Sequence, residues 1–327
     1  MRRAEARVGM GIVIRIGTSG WSYPDGEGTW NGLFYPPRGQ SRFKASDELR
    51  YYAERFDTVE VNSTFYRPPA PSVTRRWATQ TPPGFEFSLK LYQKFTHPGM
   101  VGRGSPAARR PPGEPRPLPE PAVEDFDAFR TGVDPIVEAG KLGALLIQFP
   151  AGFRADADSR EYLAMLLDAF GNYPLAVELR HRTWSDERQP TEGLLNAAGA
   201  AWVQIDEPKF RFSIRQDRLP NVSSCYYVRL HGRNAAQWWT HDSPDDRYNY
   251  LYSREELQPV AETIARASRV VRKTYLYLNN HHSAKAVVNA TVLKDMLKVP
   301  IEGEYREELV EAYPELRGLV RTARGLV

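Results

Sequence analysis

Residues 58–69 read TVEVNSTFYRPP, and the chemistry of the chain starts there. Val59 and Val61 alternate with Glu60 and Asn62, the two-residue period of a strand. An unpaired buried carboxylate costs several kcal/mol or takes up a proton, so Glu60 needs a partner or a task. The pattern recurs along the chain. Arg15 lies in the strand IVIRIG and Ser19 just past its end. Ser88, Lys90 and Tyr92 share the polar face of FEFSLKLY, and Gln148 ends LGALLIQF. Glu178 and Arg180 share LAVELR, Gln204 and Asp206 share AWVQID, Arg229 and His231 share YYVRLH, and Asn279 ends TYLYLN.

His231 and Glu178 are the expected acid–base pair, with Glu60 as a further carboxylate. A histidine of unperturbed pKa about 6.5 can give and take a proton near neutrality. Asn62, Tyr66, Lys90, Arg180, Asp206, Arg229, Asn280, His281 and Lys285 are expected to bind substrate. The cations Arg15, Lys90, Arg180 and Arg229 offset the carboxylates Glu60, Glu178 and Asp206. That balance favours an anion over a metal, since hard metals want a surplus of oxygen ligands and zinc several converging His or Cys. No cofactor is therefore expected. Glu60, Glu178, Asp206, His231 and His281 would be the ligands if a metal were held. The segment from Asn280 to Lys285 opens a helix, whose N-terminus favours an anion.

Three functions fit these residues. One is a metal-independent isomerase, lyase or hydrolase acting on a phosphorylated or otherwise anionic substrate. The second is a metal-assisted phosphoesterase resembling repair endonucleases. The third is a non-catalytic nucleic-acid binder, with Trp21, Tyr66, Trp184, Trp238 and Trp239 for stacking.

The elements that must position these groups alternate. Strand patterns at 12–17, 58–62, 85–92, 142–149, 175–180, 201–206, 226–231 and 274–279 are separated mostly by helical ones. Ser46 is placed to cap the first helix, and Ser253 with Glu256 forms a capping box for a later one. No helix is expected after 201–206. Eight such units imply parallel pairing and a TIM-type (β/α)8 barrel, with the polar strand ends at one mouth. A doubly wound sheet fits less well, because no glycine-rich phosphate fingerprint follows the first strand. The expected layout is an N-terminal extension at 1–10, a single barrel domain at 11–300 and a partly helical tail at 301–327. An insertion at 97–122, rich in proline and arginine, follows the third strand.

The chain has 327 residues, 41% of them apolar, with net charge +4. A large core is affordable, and a polyanion partner is permitted without being required. The one cysteine, Cys225, excludes an internal disulfide and is expected to be buried and inert. No apolar run is long enough for a membrane span, so a cytoplasmic protein with no membrane partner is expected.

Segments IRIGTSGWSYPDG, FYPP, YYAERFDTVEVNSTFYRPP, FEFSLKLYQKFTH, GALLIQFP, AVELRHRTW, VRLHG and LNNHHSAKAVVNA occur in this order. Together they resemble the YecE-like family, a bacterial and archaeal domain of unknown function, over roughly residues 12–298. The resemblance implies a TIM-like barrel and carries no activity with it. The first loop is longer than the family's compact link to FYP, which displaces Trp30.

Residues 97–121 hold eight prolines, which forbid a helix or a central strand. Lengthening a surface loop costs little free energy. Deleting residues 102–119 should therefore leave a cooperative urea transition. Loss of that transition would show that the segment belongs to the core.

Overall fold

The computed structural model describes residues 13–39, 42–98, 117–216, 219–236, 238 and 246–323. Most of the expected insertion, and Trp239, lie outside the described residues.

Nine strands carry the fold: β1 (Val13–Thr18), β2 (Thr58–Val61), β3 (Glu86–Lys90), β4 (Leu142–Gln148), β5 (Leu175–Glu178), β6 (Ala201–Trp202), β7 (Gln204–Asp206), β8 (Cys225–Leu230) and β9 (Lys273–Leu278). They pair in parallel within two sheets, ordered β2-β3-β4-β5-β6 and β1-β9-β8-β7. The strand expected at 201–206 is split at Val203. Its first half pairs with β5 and its second half with β8. Val203 N–H still donates to the Val177 carbonyl at 2.9 Å, so this stretch of chain touches both sheets. At the other edge Ser19 bridges to Glu60, and Gly20 N–H donates to the Glu60 carbonyl at 2.7 Å.

The helices are α1 (Glu48–Ala53), α2 (Ser63–Tyr66), α3 (Pro71–Gln80), α4 (Val123–Glu138), α5 (Ala157–Ala169), α6 (Arg182–Asp186), α7 (Arg188–Ala197), α8 (Arg254–Ala267) and α9 (Lys285–Leu297). Local signals explain several boundaries. Pro71 sits at the first position of α3, where its missing N–H costs nothing. Asp156 caps α5 by accepting from Ser159 N–H at 2.8 Å. The capping box at α8 is present: Ser253 N–H donates to Glu256 and Glu256 N–H to the Ser253 hydroxyl. Ser46 does not cap α1. The entry is a 3-10 turn, Ala45–Asp47, in which Asp47 accepts from Lys44 N–H at 3.0 Å. As expected, no α-helix lies between β7 and β8 among the described residues.

After α9 the chain continues into β10 (Glu304–Arg306), α10 (Glu307–Ala312) and β11 (Arg321–Ala323), with β10 and β11 in parallel. Tyr305, Leu309 and Leu316 bury their side chains, and Arg55 Nε donates to the Glu304 carbonyl at 2.7 Å. The helix expected in this tail is there, but two short strands flank it.

Every residue of β5 and β8 is buried, as strands covered on both faces require. Inward tyrosines fill much of the interior. Tyr277 bonds Thr58 and Ser88 at 2.7 and 2.9 Å, and its ring stacks on that of Tyr275. Glycines make room for the close approaches. A Cβ on Gly17 would lie 2.2 Å from the Thr58 carbonyl oxygen, at the edge where β1 meets β2. Gly17→Ala should therefore lower the urea-derived stability by about 1–3 kcal/mol, the usual cost of overpacking. Gly193→Ala in α7, where nothing lies within 4 Å, should raise it by up to about 1 kcal/mol through helix propensity. A neutral Gly17→Ala would mean that β1 and β2 are not held that close in solution.

Candidate active site

The C-terminal ends of the parallel strands bring Glu60, Lys90, Gln148, Glu178, Arg180, Arg229, His231 and Asn279 to one side of the sheets. At their centre is Arg229, only 1% exposed. Its Nη2 donates to Glu60 Oε1 at 2.7 Å, and its Nη1 to Gln148 Oε1 at 2.9 Å and to Glu178 Oε2. Glu60 is fully buried. Besides Arg229 it accepts from Ser19 Oγ and from the Tyr227 hydroxyl, both at 2.7 Å. Glu178 also accepts from Arg180 Nε at 2.6 Å. Burial alone would raise the Glu178 pKa, but Arg229 and Arg180 overcome it and hold the group well below the usual carboxylate range.

His231 is wedged into this network. Asn279 Nδ2 lies 2.9 Å from its Nδ1. Its Nε2 faces Glu178 Oε2 at 3.6 Å and Arg180 Nη2 at 3.3 Å. Burial first, and then Arg229, pull its pKa down to about 3, so the ring is neutral at physiological pH.

Lys90 ends β3. Its Nζ lies 3.8 Å from the centre of the Phe65 ring, and it has no ion-pair partner among the described residues. Burial, with Arg229 next, pulls its pKa down to about 7; Glu178 and Glu60 oppose the shift.

Glu207 belongs to this group and escaped the sequence reading. It directly follows Asp206, and its Oε2 lies 3.6 Å from Arg180 Nη1. Burial raises its pKa against the pull of Arg180 and Lys209. The legible signal was the second carboxylate of AWVQIDE. Alternation assigned that position to the outward face, but the strand ends at Asp206, so its period no longer governs Glu207. Tyr227 was missed because tyrosine reads as an ordinary core residue.

Other expected site residues have different partners. Arg15 sits level with Tyr275, at the opposite end of the strands, where it bonds Asp57 and Glu86. It is removed from the mouth because it lies near the start of β1. Asp206 is clamped by Arg233, Nε and Nη2 each at 2.8 Å, and accepts from the Tyr252 hydroxyl. Asn62 donates weakly to the Ser19 carbonyl at 3.4 Å, and Tyr66 is 64% exposed. Asn280 donates to the Tyr250 carbonyl and to Asn289, and Lys285 to Asn249. The His281 ring stacks on Tyr23 with centroids 4.6 Å apart, beside Tyr248. Cys225 is buried, and burial pushes its thiol up to about 12.

Removing Arg229 would leave the buried Glu60 without its cation and the buried Glu178 with Arg180 alone. Arg229→Met should cost about 3–5 kcal/mol near neutral pH. The pH dependence follows from the signs. In the wild type Glu178 has a depressed folded pKa, so its contribution is present above its unfolded value and is lost as pH falls below it. Without the Arg229 guanidinium, burial holds Glu178 less firmly in its charged form, so the deficit should shrink between about pH 7.5 and about pH 5. Urea melts at both pH values read this directly. A deficit that stays constant would show that the ion pairs are not what Arg229 contributes.

No helix among the described residues is long and apolar enough to cross a membrane. The family described as "Protein of unknown function DUF72" matches residues 15–311. The chain is 27% identical over 303 residues to the UPF0759 protein YunF of Bacillus subtilis, covering 89% of this chain and 97% of that one. It is 28% identical over 200 residues to the UPF0759 protein YecE of Escherichia coli K12, 59% of each chain. A DUF72 family protein from Thermotoga maritima superposes with a TM-score of 0.70 at 32% identity, over 88% of this chain and 99% of that one. A DUF72 protein from Enterococcus faecalis gives 0.72 at 22% identity, over 90% and 100%, a likeness of fold. With the YecE-like motifs in order and the same parallel α/β fold in these relatives, the chain belongs to the DUF72 family.

Proposed function

We propose that the two sheets are halves of one TIM-type barrel and that its C-terminal mouth is the active site of an enzyme acting on a small anionic substrate. The joined edges support the barrel: residues 201–206 pair with both sheets, and Ser19 meets Glu60 at the other edge. In that fold catalytic groups come from the C-terminal ends of several strands.

One observation carries the reading of the mouth. Arg229 already serves both Glu60 and Glu178, yet Arg180 and Lys90 stand beside them as further cation-forming groups. Burial and the neighbouring guanidiniums hold Lys90 partly neutral although Glu178 and Glu60 oppose them. An anionic group held by Arg180 would offset this surplus of cation-forming groups, and Arg180 offers a planar donor set suited to a carboxylate or phosphate. The same arrangement argues against a metal cation, because arginine N–H groups hold the carboxylates that would ligate it.

In this reading Glu207 is the acid, since burial raises its pKa in the direction a proton donor needs. Glu60, Glu178 and His231, the catalytic candidates from sequence, act through the groups they hold. His231 has both nitrogens facing protein, so its work is to orient Glu178 and Arg180.

Calorimetric titration with inorganic phosphate and with malonate tests the binding half. Wild type should bind at least one of them. Arg180→Met should weaken that binding by about 1.5–3 kcal/mol, the value of a charge-assisted hydrogen bond. Arg254→Ala, which removes an exposed cation bonded to Asp295, should leave it unchanged. If wild type binds neither anion, or Arg180→Met binds as well as wild type, the anionic site is wrong.

A further inference from the structure

We propose that Lys90 is a covalent site, its ε-amine condensing with a carbonyl carbon of the substrate to form an imine while Arg180 holds the substrate's anionic group. This rests on the reading of the mouth above and names its substrate class: a small aldehyde, ketone or 2-oxo acid that also carries a carboxylate or phosphate.

A lysine attacks carbon only as the free amine, which desolvation or a neighbouring cation favours. Comparison among the buried and half-buried described lysines singles out Lys90. Lys141 donates to three oxygens, from Ala78 and Thr81. Lys294 donates to the Arg55 carbonyl, Lys273 to Glu86, Lys94 to Asp125 and Lys285 to Asn249. Lys90 instead presents its amine to the face of Phe65. The nearby carboxylates are committed elsewhere: Glu60 to Ser19, Tyr227 and Arg229, and Glu178 to Arg229 and Arg180. The ring face itself favours an ammonium, but only weakly and without accepting its protons as an oxygen would. Burial and the two guanidiniums work the other way, leaving a substantial neutral fraction at physiological pH. The backbone is fixed as well, since the Lys90 carbonyl accepts from Thr64 Oγ1 at 2.6 Å.

The step balances without an oxidant or reductant. The amine nitrogen bonds to the carbonyl carbon, and the C=O π pair moves onto oxygen. Both amine hydrogens end on that oxygen, which leaves as water as the C=N bond forms. Protonated, the imine draws electrons from the adjacent carbon, which eases loss of a proton or cleavage of a carbon–carbon bond there.

The test is reductive trapping. Wild-type protein is incubated separately with pyruvate, glycolaldehyde phosphate and acetaldehyde, reduced with cyanoborohydride, and mapped by peptide mass spectrometry. The two anionic carbonyls should label Lys90 about tenfold or more above any other lysine, as expected for a positioned reactant. Acetaldehyde, which has nothing for Arg180 to hold, should show no such preference. The Lys90 label should increase as pH rises through about 7, as the amine loses its proton. Lys90→Arg should lose the label at this position, whereas Arg254→Ala, at an exposed cation bonded to Asp295, should keep both the Lys90 label and the anion binding. Label spread over surface lysines with no excess at Lys90 overturns the imine. If that happens while the anions still bind, the covalent role alone fails; if the anions do not bind either, the reading of the mouth fails with it.

Discussion

Arg229 between Glu60 and Glu178 is the interaction on which the rest depends. Burying three charges is costly, and the cost is met only when each finds its partners in good geometry. Here the partners come from separate strands. Arg229 is on β8, in one sheet; Glu60, Gln148 and Glu178 are on β2, β4 and β5, in the other. A small shift of either sheet would break bonds at several positions together. The ion cluster therefore fixes how the sheets meet, and it does so at the end where the strand ends converge.

The opposite end repeats the principle with different residues. Glu86 receives Arg15, Lys273 and the Tyr275 hydroxyl, from β1 and β9. Between the two polar layers lie tyrosines whose hydroxyls bond Glu60, Thr58 and Ser88. The interior is thus stacked, with charge at both ends and aromatic rings between. Gly143 serves that middle layer, because a Cβ there would come within 3.3 Å of the Tyr275 ring. The end bearing Glu86 has its carboxylate fully matched by donors. The end bearing Glu178 leaves Lys90 and Glu207 shifted away from their charged forms. That imbalance, more than the number of charges, is what marks this end as the candidate site.

The alternation of polar and apolar residues determined much by itself. It located the parallel strands, the absence of a helix after 201–206 and the capping box at Ser253, because these depend on period and on neighbours close in sequence. It also gathered Glu60, Lys90, Glu178, Arg180, Arg229 and His231 at one end, since parallel strands share a direction. What it could not determine was pairing. Sequence presents Arg229 as a free cation for a ligand, and only the folded chain shows its N–H groups spent on carboxylates more than 50 and 160 positions away. The fate of Arg15 turned on its depth along β1, which alternation does not measure. Glu207 lies just past the end of β7, where the strand's period no longer applies. Local pattern fixes which face a residue takes; the three-dimensional packing decides which charges meet, how dry they are, and so which of them are left with chemistry to do.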